Sequence, residues 1–176
     1  MKLAKNLDRL GTETAFSVLA EAKKLEAQGK EMIHLGLGQP DFKTPQHIMD
    51  AAKKAIDDGH HGYVLANGIL ECRQSVSRKI KSLYKKDIDP ERIMIMPGGK
   101  PTMYYAIQMI GEPGVEIVHP TPGFPIYESM INYTGAKAVP YDLTKEKDLK
   151  FDPEKILSLI TDKTRLVILI NPNNPT

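Results

Sequence analysis

Short apolar runs alternate with helix-like segments through the second half of the chain, and this alternation restricts the possible folds more than any other feature. The runs VEIVHP, AKAVPYDL and RLVILI each have the composition of a buried strand. Between them lie FPIYESMINYTG and the segment that Asp152 and Pro153 open, both with the pattern of short helices. Strands that alternate with helices in this way predict a mainly parallel sheet sandwiched by helices. The sequence therefore predicts an α/β fold.

The segments before this region are mostly helical. The stretch FSVLAEAKKLEAQGK predicts an amphipathic N-terminal helix, and the sequences around Ile48 and Ile80 predict two more. The run RIMIMPGGK predicts a further strand that enters a Gly-Gly turn, followed by a helix. A helical arm is thus expected to precede the sheet.

Composition excludes several classes of protein. The 176 residues carry a net charge of only +2 with scattered lysines, whereas nucleic-acid partners demand a basic stripe. No apolar run approaches the roughly 20 residues that span a bilayer, so no membrane partner is expected. The N-terminus lacks the apolar core of a secretory signal, and we expect a cytoplasmic protein. The lone Cys72 forms no intrachain disulfide and no cysteine-based metal site, and no metal is expected.

Three of the predicted strands run into unusual loops, MPGGK, HPTPGFP and NPNNPT. Ligands of open α/β sheets bind where strands end at their carboxyl edge, so these loops are the place to look for chemistry. In PGGKPT, two glycines and a helix start present backbone N–H groups to one point, which suits a phosphate. A tight strand-to-helix connection is the alternative, and the spacing is not that of a Walker A loop.

The other two loops carry an aromatic ring and an amide. Phe124 follows a strand end, where its ring either lies over a flat ligand or simply closes the helix against the sheet. The run Leu166–Ile170 predicts a strand that is central and buried on both faces. Beyond it, prolines stiffen a loop in which Asn171, Asn173 and Asn174 offer amide donors suited to an oxyanion or phenolate. An ordinary Asn/Pro turn is the alternative.

The motifs together, and in this order, resemble the aspartate aminotransferase family, the class I and II aminotransferases among the fold-type-I pyridoxal-phosphate enzymes. The resemblance covers essentially the whole chain. It is carried by MIHLGLGQPDF, GYVLANGILECRQSV, MPGGKPT, GEPGVEIVHPTPGFPIYESM and NPNNPT. It implies two parts: residues 1–40 as an N-terminal arm and small-domain segment, and residues 41–176 as the first part of the large domain that binds pyridoxal 5'-phosphate.

The resemblance also implies roles for individual residues. Gly98, Gly99 and Lys100 match the turn that cradles the cofactor phosphate, and Phe124 matches the aromatic residue that stacks on the pyridine ring. Asn174 matches the asparagine that hydrogen-bonds the cofactor's 3-oxygen and helps to seat the substrate carboxylate. Two further residues complete the set. Gly38 matches the glycine beside the substrate α-carboxylate, and Tyr63 matches the tyrosine that reaches the neighbouring subunit's cofactor phosphate, which implies a homodimer.

Two departures from the family pattern bear on these assignments. The stretch from Pro120 to Tyr127 is two residues longer than in many relatives, which weakens the match of Phe124. The lysine that carries the cofactor lies, in the family, well beyond the Asn-Pro loop, so no residue here is assigned a catalytic role. We therefore expect a truncated, inactive front part of an enzyme whose remaining strands complete the sheet.

The expected reaction of the whole protein is transfer of an amino group between an amino acid and a 2-keto acid. The motifs leave open a lyase or synthase of the same fold, and also a non-catalytic fragment that only binds cofactor. A nicotinamide-dependent enzyme is not expected, because GLGQPD lacks the third glycine of the dinucleotide fingerprint and Pro40 follows where a helix should start.

Overall fold

The computed structural model describes residues 2–11, 14–143 and 148–176. These form two compact units, Met1–Gly36 with Gly98–Thr176, and Leu37–Pro97. The boundary between residues 40 and 41, inferred from the family, stays a prediction. Among the described residues no helix is both long and apolar enough to cross a membrane.

The larger unit contains a parallel sheet of three described strands. Their bounds are β1 Glu116–Thr121, β2 Lys137–Asp142 and β3 Thr164–Val167. The spatial order is β2-β1-β3, so β1 is central, and its Val118 lies opposite Val139 of β2 and Val167 of β3. Because all three strands are parallel, their carboxyl ends meet at one edge of the sheet.

Six α-helices are described, together with 3₁₀ turns at Lys5–Arg9 and Pro90–Arg92. The helix bounds are α1 Thr14–Ala27, α2 Gln46–Asp57, α3 Leu70–Tyr84, α4 Gly99–Gln108, α5 Ile126–Thr134 and α6 Pro153–Ser158. The predicted helix starts and stops at Asp152 and Gly135 are confirmed. The Asp152 carboxylate accepts hydrogen bonds from the amides of Glu154 and Lys155, and Gly135 closes α5 with a φ of 85°.

The core of this unit lies on both faces of the sheet, because successive strand residues point to opposite sides. On one face, Ile117 packs with α4 and α5 in a cluster that comprises Ile107, Ile117, Met130, Ile131, Ala136 and Ile168. On the other face, Val118 packs with Tyr141, Leu143 and Ile156 of α6. The predicted fold, a parallel sheet sandwiched by helices, is confirmed.

The smaller unit is built around a buried arginine. Arg73 of α3 is 1% exposed, and its guanidinium donates to the carbonyl oxygens of Gly68 and Pro90 and to the carboxylate of Glu91, at 2.8–3.1 Å. Gly68 has a φ of 93°, and a Cβ atom there would lie 2.9 Å from the side chain of Ile95. The hydrogen bonds that the Arg73 guanidinium donates to these three acceptors offset the cost of burying its charge.

Two strand predictions were wrong. Residues 93–96 are not a strand, because a strand needs a hydrogen-bonded neighbour and none of the described strands pairs with them. The run Leu166–Ile170 is not one strand buried on both faces, since β3 ends at Val167 and Leu169 is 58% exposed. Among the described strands β3 has only β1 beside it, so one of its sides has no sheet partner.

Candidate functional site

The turn before α4 has the backbone geometry of an anion cradle. Gly98 caps the helix with φ 93° and ψ 166°, a conformation that only glycine adopts readily. Gly98 gives the first turn no side-chain cap. N–H groups in the first turn of a helix lack intrahelical acceptors, and the helix dipole adds partial positive charge there. The first turn, with Gly99 and Lys100, therefore suits a phosphate group.

The loop after β1 presents Phe124, and Gly123 determines the shape of this loop. The sequence motifs did not identify Gly123. A Cβ atom on Gly123 would lie 2.5 Å from the carbonyl oxygen of Pro120, closer than real Cβ contacts. Only glycine therefore fits this tight approach, and its place beside prolines in PTPGFP was the available signal. The half-buried ring of Phe124 packs edge-on against Tyr127, with centroids 6.4 Å apart.

The structure brings the turn and the aromatic loop together. The Lys100 ammonium lies 5.6 Å from the ring centroid of Phe124, within the distance of a cation–π contact. It also lies 5.1 Å from the ring of Phe16, a residue that sequence reasoning did not identify. Two of the residues matched to cofactor contacts are thus neighbours, although 24 positions separate them in sequence.

Burial shifts the pKa of two groups close to this loop, His119 and Tyr127. Burial lowers the pKa of His119, the third-last residue of β1, although Glu128 and the carbonyl oxygen of Pro120 partly oppose the shift. Its Nε2 atom is buried and lacks a hydrogen-bond partner among the described residues. Burial also raises the pKa of the Tyr127 phenol.

The Asn-Pro loop follows β3 at the carboxyl edge of the sheet. Its Asn171–Pro172 and Asn174–Pro175 peptide bonds are cis, and Asn174 is exposed. Asn173 donates its side-chain amide to the Thr176 hydroxyl. The base of the loop is fixed by the buried Tyr141, whose hydroxyl donates to the Ile168 carbonyl oxygen at 3.0 Å.

A cavity of about 560 Å³ opens beside this loop. Its walls come from the end of β2, residues 148–151 and the loop itself: Tyr141, Leu143, Asp148, Leu149, Lys150, Phe151, Ile170, Asn171, Pro172, Asn173 and Thr176. The amide oxygen of Asn173 is buried and has no hydrogen-bond partner within the described residues. Asn174 is not among the lining residues, and its assignment to the cofactor stays a prediction.

The remaining two predicted residues, Gly38 and Tyr63, belong to the smaller unit. Gly38 is exposed, and a Cβ atom there would meet nothing within 4 Å. The Tyr63 ring is fully exposed within its unit. Their roles toward substrate and toward a second subunit stay predictions.

Known proteins share this architecture along the whole chain. A solved structure of the aspartate aminotransferase from Thermus thermophilus with maleate matches with a TM-score of 0.93 at 30% identity, covering 100% of this chain and 46% of that one. An alanine aminotransferase from Pyrococcus furiosus matches with a TM-score of 0.92 at 31% identity, covering 99% of this chain and 45% of that one. The fold is that of the large domain of the fold-type-I aminotransferases, incomplete in its sheet.

The sequence comparison places the chain more narrowly. It is 36% identical over 176 residues to the aspartate aminotransferase of Bacillus subtilis (strain 168), and the match covers 100% of this chain and 45% of that enzyme. The profile described as aminotransferase class I and II matches residues 30–176. The chain belongs to the class I and II aminotransferase family, and it spans a little under half the length of these relatives.

Proposed function

We propose that the whole protein is a pyridoxal-phosphate-dependent aminotransferase that moves an amino group between an amino acid and a 2-keto acid. One observation carries the proposal. In a chain of this family, the Lys100 ammonium lies 5.6 Å from the ring centroid of Phe124. An anion-binding helix start and a flat aromatic surface lie side by side. That arrangement suits a ligand with a phosphate at one end and a planar ring at the other.

The residues present fit the phosphate end of this cofactor. The positive φ of Gly98 sets the direction of the first turn of α4. A Cβ atom on Gly98 would meet nothing within 4 Å, so the space beside this turn is open to a ligand. Gly99 and the Lys100 ammonium supply a backbone donor and a positive charge. A phosphate carries up to two negative charges, so hydrogen bonds and charge act together there.

The residues near Phe124 fit the ring end. The half-buried phenyl ring offers a face to a planar heterocycle, and Gly123 and Tyr127 fix its position. When bound, pyridoxal phosphate supplies the electron-withdrawing ring that accepts the electron pair released at the α-carbon of an amino acid. Phe124 orients that ring and excludes water from one of its faces.

The proposal assigns three further contacts. The carboxamide of Asn174 donates to the 3-oxygen of the cofactor and helps to seat the substrate carboxylate. The backbone of Gly38 lies beside that carboxylate. Tyr63 reaches the cofactor phosphate of a second copy, which makes the enzyme a homodimer, and its full exposure within its own unit leaves the ring available for that contact.

The similar proteins include an aspartate aminotransferase and an alanine aminotransferase, and their side-chain selectivity therefore differs. We propose an amino acid and a 2-keto acid as substrates and the cytoplasm as the location. The single cysteine agrees with a reducing compartment.

The test is an assay of the whole protein with pyridoxal phosphate and a panel of amino acids. Keto acid formation that requires an acceptor keto acid supports an aminotransferase, whereas formation without an acceptor indicates a lyase and overturns the proposal.

The 176-residue chain is the matched control. None of its lysines lies where the family attaches the cofactor, so we expect no turnover. Borohydride treatment with pyridoxal phosphate, followed by mass measurement, should show no specific lysine adduct. Turnover by this chain would contradict the assignment of its residues to cofactor contacts alone.

A further inference from the structure

We propose that Phe16, in the first turn of α1, is a positioning residue that holds the Lys100 ammonium at the cofactor cradle. The inference rests on the proposed function and adds to it a residue from the N-terminal arm. The arm thereby forms one wall of the site.

The Lys100 ammonium lies over two aromatic rings. The Lys100 ammonium lies 5.1 Å from the centroid of Phe16 and 5.6 Å from that of Phe124. Both distances are within the roughly 6 Å over which the negative face of an aromatic ring attracts an ammonium group. Phe16 is 52% exposed, so it is not explained as a core residue.

A second set of contacts holds Arg9 and Gly11, which precede α1 in the chain. The Arg9 guanidinium donates to the carbonyl oxygens of Asn132 and Tyr133, at 2.9 and 2.8 Å, at the carboxyl end of α5. The Gly11 amide donates to the Ser129 hydroxyl at 2.9 Å, and that hydroxyl donates to the Gly11 carbonyl oxygen at 3.2 Å. Arg9 and Gly11, on the amino side of Phe16, are thus attached to the same helix that follows the Phe124 loop.

Holding Lys100 in one place has a consequence for binding. A lysine side chain is flexible, and ordering it when an anion binds costs conformational entropy. Contacts with two rings restrict the ammonium before phosphate binds, so less entropy is lost on binding. Phe16→Leu removes the ring and keeps a bulky side chain, so it should weaken phosphate binding. The expected loss of affinity is about two- to five-fold, which corresponds to one exposed cation–π contact.

The first experiment observes Lys100 without any cofactor. Lysines of the purified protein are methylated with ¹³C, which keeps their charge, and the Lys100 signal is assigned by its loss in Lys100→Arg. We expect a ring-current shift that Phe16→Leu reduces and Phe16→Tyr retains. A Lys100 signal that is the same in Phe16→Leu and wild type overturns the positioning role.

The second experiment measures the dissociation constants of pyridoxal phosphate and of inorganic phosphate. We expect Phe16→Leu to weaken both by about two- to five-fold and Phe16→Tyr to restore them. Val18→Ala, at a 58% exposed position of the same helix, is the control and should change neither. Equal affinities in wild type and Phe16→Leu overturn the inference alone, whereas a wild-type protein that binds no pyridoxal phosphate overturns the proposed function.

Discussion

Replacing Gly98 by alanine tests whether its backbone conformation is what makes the phosphate cradle. At φ 93° and ψ 166° Gly98 lies in a region that is open essentially to glycine alone, and a side chain there costs about 1–3 kcal/mol. No atom lies within 4 Å of the added Cβ, so backbone strain is the whole penalty. Alanine also restricts the unfolded chain, which offsets about 0.4–1 kcal/mol. We expect Gly98→Ala to lower the free energy of unfolding by about 1 kcal/mol, and by no more than about 2.6 kcal/mol.

The functional effect should be similar in size to the effect on stability. If the chain relieves the strain by turning the first residues of α4, the N–H groups no longer point to one anion. We expect the affinity for pyridoxal phosphate and for inorganic phosphate to fall about tenfold, which corresponds to about 1.4 kcal/mol. Unfolding in urea and equilibrium dialysis measure the two quantities.

Gly114 offers a matched control. Its φ is also 93°, a Cβ there would meet nothing within 4 Å, and it lies in the turn before the amino end of β1, at the opposite edge of the sheet. Gly114→Ala should lose stability without losing phosphate affinity. Equal phosphate affinity in Gly98→Ala, Gly114→Ala and the wild type would refute the cradle.

Two further predictions concern a carboxylate and an amide. Hydrogen bonds from Lys137 and Thr161, at 2.8 and 2.7 Å, lower the pKa of Glu116 from 4.5, with the Lys137 bond the larger cause. Because the folded-state pKa is lowered, the stabilisation of the fold by ionised Glu116 is present above pH 4.5 and is lost as the pH falls through the folded-state pKa. Measured by urea unfolding, Glu116→Gln should lose less stability than the wild type over that pH range. The same pH profile of stability in both proteins would exclude this role of Glu116. In the whole protein with cofactor, Asn174→Ala should raise the pH at which the bound cofactor's visible absorbance changes, since a hydrogen bond to the ionised 3-oxygen is lost. Asn171→Ala, exposed on the same loop, should leave that titration unchanged, and an unchanged titration in Asn174→Ala removes its assigned contact.

Local signals predicted the sheet and the helices that flank it. Each of these signals acts within a few residues, so the sequence is sufficient to predict the elements. They are the strand patterns of β1 and β2, the capping carboxylate of Asp152 and the left-handed Gly135. The run at residues 93–96 has the same composition as a strand but is not one. Pairing is a property of two segments, and composition reports only one of them.

The contacts at the candidate site depended on tertiary structure. No pattern around Phe16 indicates Lys100, which lies 84 positions further along the chain. Gly123 is required because the Pro120 carbonyl oxygen approaches it, and only coordinates show that approach. The phosphate turn and Phe124 were assigned by their motifs, and their adjacency is new information from the structure.

A crystal structure of the protein with pyridoxal phosphate tests the central claim most directly. The account predicts a phosphate oxygen about 3 Å from the amide nitrogen of Gly99, with the pyridine ring against the face of Phe124. Pyridoxal phosphate bound elsewhere, with neither the first turn of α4 nor the Phe124 ring in contact with it, would contradict the account.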